Sequence, residues 1–292
     1  MIFIALKAIG LVFCLCFVPG LVFAALTYAF FWYESASSPF RELLDRRFHG
    51  KTGRAIMKIV LVSACGLVPV ILSYPLAYRH KRFQPEPDHT CTLPPVILVH
   101  GLYHNASAWI LYRWWLKRAG FKNVYAFSYS SWKPSFYDLM EELDRQITHV
   151  LELFPGKQIV LLGHSLGGLL SRAYVECTGN APKVQAVVTL GAPHQGSKLA
   201  ALGLGKLARS LLYRGALITW LETEAKEISV PRLALHSPLD NMVLPNEALQ
   251  ARHAGWEYRE SGPVSHIGML FHKPTAREAI ELMLRVARKP AA

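Results

Sequence analysis

Ser165 is the residue whose neighbours best suit it to attack a carbonyl. It stands in Gly163-His164-Ser165-Leu166-Gly167-Gly168, after the apolar run 158–162 and before a helical stretch at 169–177. A strand that turns at once into a helix needs small residues two before and two after the residue at the bend, and it leaves that side chain exposed at the helix N-terminus. The Leu166 N–H then has no acceptor within the helix and is free to meet an oxyanion. A serine so placed does nucleophilic acyl chemistry only with a base to take its proton, and twelve histidines compete for that role.

The elements that must hold this turn are legible as patterns. Short apolar runs at 95–100, 123–127, 158–163, 184–190, 230–236 and 256–260 read as strands, and the continuous run at 95–100 lacks alternation, as a strand buried on both faces does. Between them lie helical patterns. In 134–154, Phe136, Leu139, Met140, Leu143, Ile147, Val150 and Leu151 fall on one face. A capping-box pattern, Thr275-Ala276-Arg277-Glu278, opens a last helix that runs to about Arg288. Strand and helix alternation of this kind predicts an α/β fold, a mostly parallel sheet with helices on both faces.

With these motifs the chain resembles the α/β-hydrolase superfamily, and within it the bacterial lipases and esterases, over residues 95–288. Val99-His100-Gly101-Leu102 is similar to the lipase pattern in which the amide after an HG pair, here that of Leu102, joins the Leu166 amide in an oxyanion hole. Leu190-Gly191-Ala192-Pro193-His194-Gln195-Gly196-Ser197 is similar to the family's segment beside the active site. The resemblance implies the chain order serine, acid, histidine. Asp240, in a loop directly after the predicted strand 230–236, is then the acid, and His266, between the last strand and last helix, is the base. His100, His164 and His194 are expected to shape turns, and His104, His149 and His236 carry no signal beyond surface or packing. Glu222, Glu224 and Glu227 are expected at the surface. The implied activity is hydrolysis of carboxylic esters through a Ser165–His266–Asp240 triad and an acyl-enzyme.

The first 82 residues have a different character. They hold ten Lys and Arg against three Asp and Glu, so +7 of the net charge of +12 sits in the first quarter of the chain. The basic residues flank apolar runs rather than clustering with aromatics, which speaks against a nucleic-acid binder. Residues 8–33 and 59–78 contain no charge, and at ~1.5 Å rise per residue both are long enough to cross a bilayer. A cleavable signal peptide with Lys7 as its basic start and Val22-Phe23-Ala24 as its cleavage site competes for the first run, but the run continues well beyond Ala24. We therefore expect a membrane anchor over 1–82, a linker over 83–94, and a catalytic domain over 95–292. Six basic residues between the runs, against Arg79, Lys81 and Arg82 after the second, predict a cytoplasmic loop and an extracytoplasmic domain, periplasmic on a bacterial inner membrane. Cys91 and Cys177 are expected at the same end of the sheet, either as a disulfide, which would suit such a compartment, or as two unrelated thiols.

About forty residues separate the strands ending at 190 and starting at 230, which predicts a cap over 197–228. Its leucines intermix with Lys198, Lys206, Arg209 and Arg214, so it reads either as a cover for an acyl-chain pocket resting on an anionic membrane or as an ordinary surface helix. Residues 267–276 contain no acid, so the carboxylates that hold calcium in many secreted lipases have no counterpart, and no metal or cofactor is expected. The expected partners are an acyl ester or lipid and the membrane. Two alternatives stand beside hydrolysis: acyl transfer from the same acyl-enzyme to another acceptor, and an idle scaffold of the same fold.

Overall fold

The structure, a computed structural model, describes residues 2–78, 83–133 and 135–288. Arg79, Lys81, Arg82 and Pro134 lie outside the described residues. Three helices come first: α1 (Ile2–Ala36), α2 (Phe40–Arg47) and α3 (Thr52–Ser73). There follow β1 (Val96–Val99), α4 (Ile110–Arg118), β2 (Val124–Phe127), α5 (Phe136–Leu153), β3 (Ile159–His164), α6 (Leu166–Cys177) and β4 (Val184–Leu190). The chain ends with α7 (Gly205–Ser210), α8 (Ala216–Glu224), β5 (Arg232–His236), β6 (Trp256–Glu260) and α9 (Lys273–Ala287).

The six strands form one parallel sheet in the order β2-β1-β3-β4-β5-β6. Helices cover both faces, so β1, β2 and β3 are buried at every position. Successive side chains alternate between two cores. Ile97, Val99 and Leu161 face α5 and α6, whereas Val96, Leu98 and Leu162 face α4 and α9. The strand order reverses between β1 and β3, which opens a crevice at their C-terminal ends, where open α/β sheets bind ligands.

The apolar face expected on α5 is the face it buries, and Ser135 caps the helix by accepting from the Tyr137 N–H at 3.1 Å. The last helix starts earlier than its capping-box pattern suggests. His272 is the N-cap and Pro274 occupies the first turn, so Thr275 bonds back to His272 Nδ1 at 2.8 Å instead of capping. Residues 83–94 are docked against the sheet: the Ala126 N–H donates to the buried Phe83 carbonyl at 3.0 Å, and Gln84 Nε2 donates to the Ala126 carbonyl at 3.0 Å.

Helices α1 and α3 each contain a stretch long and apolar enough to cross a membrane. Both helices also touch the rest of the chain. Glu34 at the end of α1 pairs with Lys198 at 2.6 Å, and Arg47 at the end of α2 pairs with Glu260 at the end of β6. Ile59 packs with Leu239 and Leu244, and the Tyr74 carbonyl beyond α3 accepts from Asn105 Nδ2 at 3.0 Å. The loop between the two helices thus packs beside the α/β domain. Three of the loop's basic residues, which suggested a cytoplasmic location, are engaged by carboxylates: Arg41 by Asp45, Arg46 by Glu42 and Arg47 by Glu260.

Of the two readings of Cys91 and Cys177, a disulfide or two unrelated thiols, the structure has the second. Cys91 and Cys177 are free thiols, Cys91 in the loop before β1 against the Gly120 carbonyl at 3.5 Å and Cys177 at the end of α6 against the Leu221 carbonyl at 3.9 Å.

Candidate active site

Ser165 sits at the bend between β3 and α6 with φ +55° and ψ −124°, a conformation that clashes for residues with a Cβ and persists only where the surroundings enforce it. Two glycines permit the bend. A Cβ on Gly163 would lie 2.4 Å from the Gly167 carbonyl oxygen, and one on Gly167 would lie 2.0 Å from that of Val99. The Ser165 N–H donates to the Leu190 carbonyl at 2.9 Å and ties the turn to β4.

Asp240 and His266 arrive from two other loops. Asp240 follows β5 and is fully buried; its Oδ1 accepts from the Met242 and Val243 amides at 2.9 and 3.0 Å, and its Oδ2 lies 2.7 Å from His266 Nδ1. A carboxylate there holds the proton on Nδ1 and leaves Nε2 as the basic nitrogen. Gly191 makes room for the pair. It has φ +54°, and a Cβ would lie 2.9 Å from Asp240 Oδ2 and 3.1 Å from His266 Nδ1. No hydrogen bond joins Ser165 Oγ to His266 among the described residues, but both line one cavity of about 420 Å³, within the size range of small-molecule sites. Such bonds are often long before substrate binds.

The loop after β1 closes over Ser165. A Cβ on Gly101 would lie 3.0 Å from Ser165 Cβ, so only glycine lets this loop approach so closely. Among the described residues neither the Leu102 nor the Leu166 N–H has an intramolecular acceptor, and Leu102 lines the cavity. His100 shapes the loop: its Nδ1 donates to the Gly101 carbonyl at 2.8 Å and its Nε2 accepts from the Tyr129 amide at 3.1 Å. Burial pushes its pKa down to about 3. His164, also buried, bonds through Nε2 to the His266 carbonyl at 3.0 Å, and burial holds it far below the usual histidine range.

Several site residues carry no sequence signal. His104 lines the cavity with its pKa pushed down to about 4, by desolvation first and then by the nearness of His266. Asn241 accepts from the His266 N–H at 3.2 Å. Behind Ser165, buried Arg172 donates to Glu176 at 2.7 Å, to Glu222 at 3.0 Å and to the His194 carbonyl at 3.0 Å. Glu176 also binds Arg232 and the Trp256 Nε1–H, so a buried charge network joins α6, α8, β5 and β6. Glu222, expected at the surface, belongs to this network, because α8 packs on α6. Among the described residues no group of three or more His, Cys, Asp or Glu side chains is placed to hold a metal ion.

The cap consists of a 3-10 turn (Lys198–Leu202), α7 and α8. Ser197 ties its base to the loop bearing Asp240, donating to the Met242 carbonyl at 2.7 Å and accepting from the Leu244 amide at 3.1 Å. Tyr103, next to Leu102, ties its tip: the hydroxyl donates to the Leu204 carbonyl at 2.6 Å and accepts from the Leu204 amide at 2.8 Å.

Comparison with known proteins agrees with this architecture. A Bacillus licheniformis lipase in its mature form superposes with a TM-score of 0.53 at 18% identity, over 69% of this chain and 94% of that one. A Paleococcus ferrophilus monoacylglycerol lipase gives 0.52 at 20% identity, over 66% and 96%. An Aspergillus fumigatus lipase B gives 0.56 at 17% identity, over 68% and 55%. At these identities the likeness is one of fold, that of lipase- and esterase-type hydrolases. No curated protein matches the sequence. The profile of the alpha/beta hydrolase family matches residues 96–286, about two thirds of the chain, and the chain belongs to that family.

Proposed function

We propose that the protein is a membrane-associated serine hydrolase that cleaves carboxylic esters of lipids or related acyl compounds. The observation that carries this reading is the buried 2.7 Å contact between His266 Nδ1 and Asp240 Oδ2 beside a cavity shared with the strained Ser165.

In this reading Ser165 Oγ attacks the ester carbonyl carbon as His266 Nε2 takes its proton, and Asp240 stabilises the imidazolium that results. The Leu102 and Leu166 amides donate to the developing oxyanion, each worth on the order of 3 kcal/mol. Collapse of the tetrahedral intermediate expels the alcohol, which takes the proton from His266 and leaves an acyl-Ser165 ester. Water, deprotonated by His266, attacks that ester; the second collapse releases the carboxylic acid and returns the proton to Ser165. His100 and His164, kept neutral by burial, donate to backbone carbonyls and hold the loops in place. The apolar helices α1 and α3 hold the enzyme at the membrane that carries its substrate.

The test is turnover of a fluorogenic short-chain ester by the purified full chain. Ser165→Ala should lower kcat by about 10⁴-fold or more with unchanged thermal unfolding. A folded Ser165→Ala protein that retains turnover would overturn the reading.

A further inference from the structure

The catalytic domain does not enclose the cavity beside Ser165 by itself. Phe23, Leu26, Thr27 and Phe30, spaced i, i+3, i+4 and i+7 on one face of α1, form part of its wall, and Leu202 and Leu204 of the cap line it as well.

The placement of α1 is specific. Tyr28 OH donates to the Leu239 carbonyl at 2.8 Å, and Thr27 Oγ1 accepts from Asn241 Nδ2 at 2.7 Å. Leu239 and Asn241 are the chain neighbours of Asp240, so these two bonds bracket the acid, and Asn241 reaches on to the His266 amide. Gly20 lets α3 approach closely, since a Cβ there would lie 3.3 Å from the Ala64 carbonyl oxygen.

The wall residues face outward as well as inward. Phe23, Leu26 and Phe30 are 40%, 57% and 43% exposed, and Leu202 and Leu204 are 65% and 64% exposed. On α1 this apolar surface continues through the exposed Leu15, Val18 and Val22, within a run of 26 residues that holds no charge. A surface of that length and apolarity is matched by the hydrocarbon of a bilayer, and the wall of the cavity is part of it.

We propose that α1 is a substrate-binding element: its Phe23, Leu26 and Phe30 face forms one wall of an acyl-chain site, and a long-chain ester passes from the bilayer to Ser165 with its chain between α1 and the cap leucines. This rests on the reading of Ser165 as the nucleophile. It narrows the substrate class to long-chain acyl esters resident in a membrane, whose chains remain in apolar surroundings while the ester carbonyl reaches Ser165. It also makes α1 more than an anchor, because without it the acyl site lacks a wall.

The test uses the full chain in phosphatidylcholine nanodiscs. A fluorogenic palmitoyl ester is carried in the bilayer, and the butyryl ester of the same alcohol is added from water. Leu26→Trp fills the passage and Leu26→Gln places an amide on the path of the chain at nearly constant size. Each should lower the palmitoyl-to-butyryl ratio of kcat/KM about tenfold. Leu15→Gln, on the exposed surface before the wall, should leave the ratio unchanged. If both Leu26 variants keep the ratio within twofold of wild type while a fluorophosphonate still labels Ser165, the proposal is overturned and the nucleophile stands. Absence of labelling in the wild type would instead overturn the nucleophile reading and this proposal with it.

Discussion

His266 Nδ1 lies 2.7 Å from Asp240 Oδ2, and the other carboxylate oxygen is held by two backbone amides, those of Met242 and Val243. Asp240 therefore has little freedom to rotate, and it dictates which nitrogen of His266 carries the proton. Asp240→Asn keeps the shape but turns an amide N–H toward Nδ1, which drives the proton to Nε2 and removes the base. Turnover should fall about 10⁴-fold with little change in melting temperature. A loss under tenfold would show that Asp240 does not control the tautomer.

Gly191 tests the same contact from the side. Alanine there would place a Cβ 2.9 Å from Asp240 Oδ2 at φ +54°. We expect Gly191→Ala to lower kcat about 10²-fold by pushing the pair apart. Gly50→Ala, also at positive φ but with nothing within 4 Å, should cost only backbone strain and leave activity intact. Equal effects of the two substitutions would refute the steric argument.

The buried histidines set an acid limit. In the unfolded chain His100 and His104 take up protons near pH 6.5, but in the folded protein only near about 3 and about 4. Below pH 6.5 the unfolded state binds more protons, so stability falls with falling pH, by about 1.4 kcal/mol per unit for His100 alone until its folded pKa is reached. The melting temperature in detergent should drop clearly between pH 7.5 and 5.0. A flat profile over that range would contradict the neutral, buried assignment.

Arg172 is the cation on which the network behind Ser165 depends. Arg172→Met removes the donors to Glu176, Glu222 and the His194 carbonyl and leaves buried charge incompletely paired. The expected cost is about 3–5 kcal/mol, read as a lowered denaturation midpoint. A change below 1 kcal/mol would show that Arg232 alone satisfies Glu176.

The parts of this molecule that were legible in the sequence are those governed by local chemistry. Val96 to Val99 form a strand buried on both faces, hence an unbroken apolar run. Gly163 and Gly167 are demanded by the bend at Ser165, so the motif and its turn are one fact. Asp240 and His266 were found through the family's chain order, and the structure brings them together in loops that follow β5 and β6. Contacts made across the fold left no such trace. Arg172, Glu176 and Arg232 are of types that usually face water, and they are buried only because the fold brings Arg232 and Trp256, from β5 and β6, to Glu176 on α6. Residues 8–33 are apolar throughout, so no polar face marks which side of α1 packs on the domain. Nor does the charge count of the basic loop between the apolar helices show that three of its arginines, Arg41, Arg46 and Arg47, bind carboxylates, one of them across the fold.

The central claim is that Ser165 is an activated nucleophile, and covalent labelling tests it most directly. Membranes holding the full chain, or its Ser165→Ala variant, would be treated with a fluorophosphonate and the adduct mapped by peptide mass spectrometry. One adduct is expected, on Ser165, absent from the folded variant. A folded wild type that takes up no label, or takes it up at another residue, would contradict it.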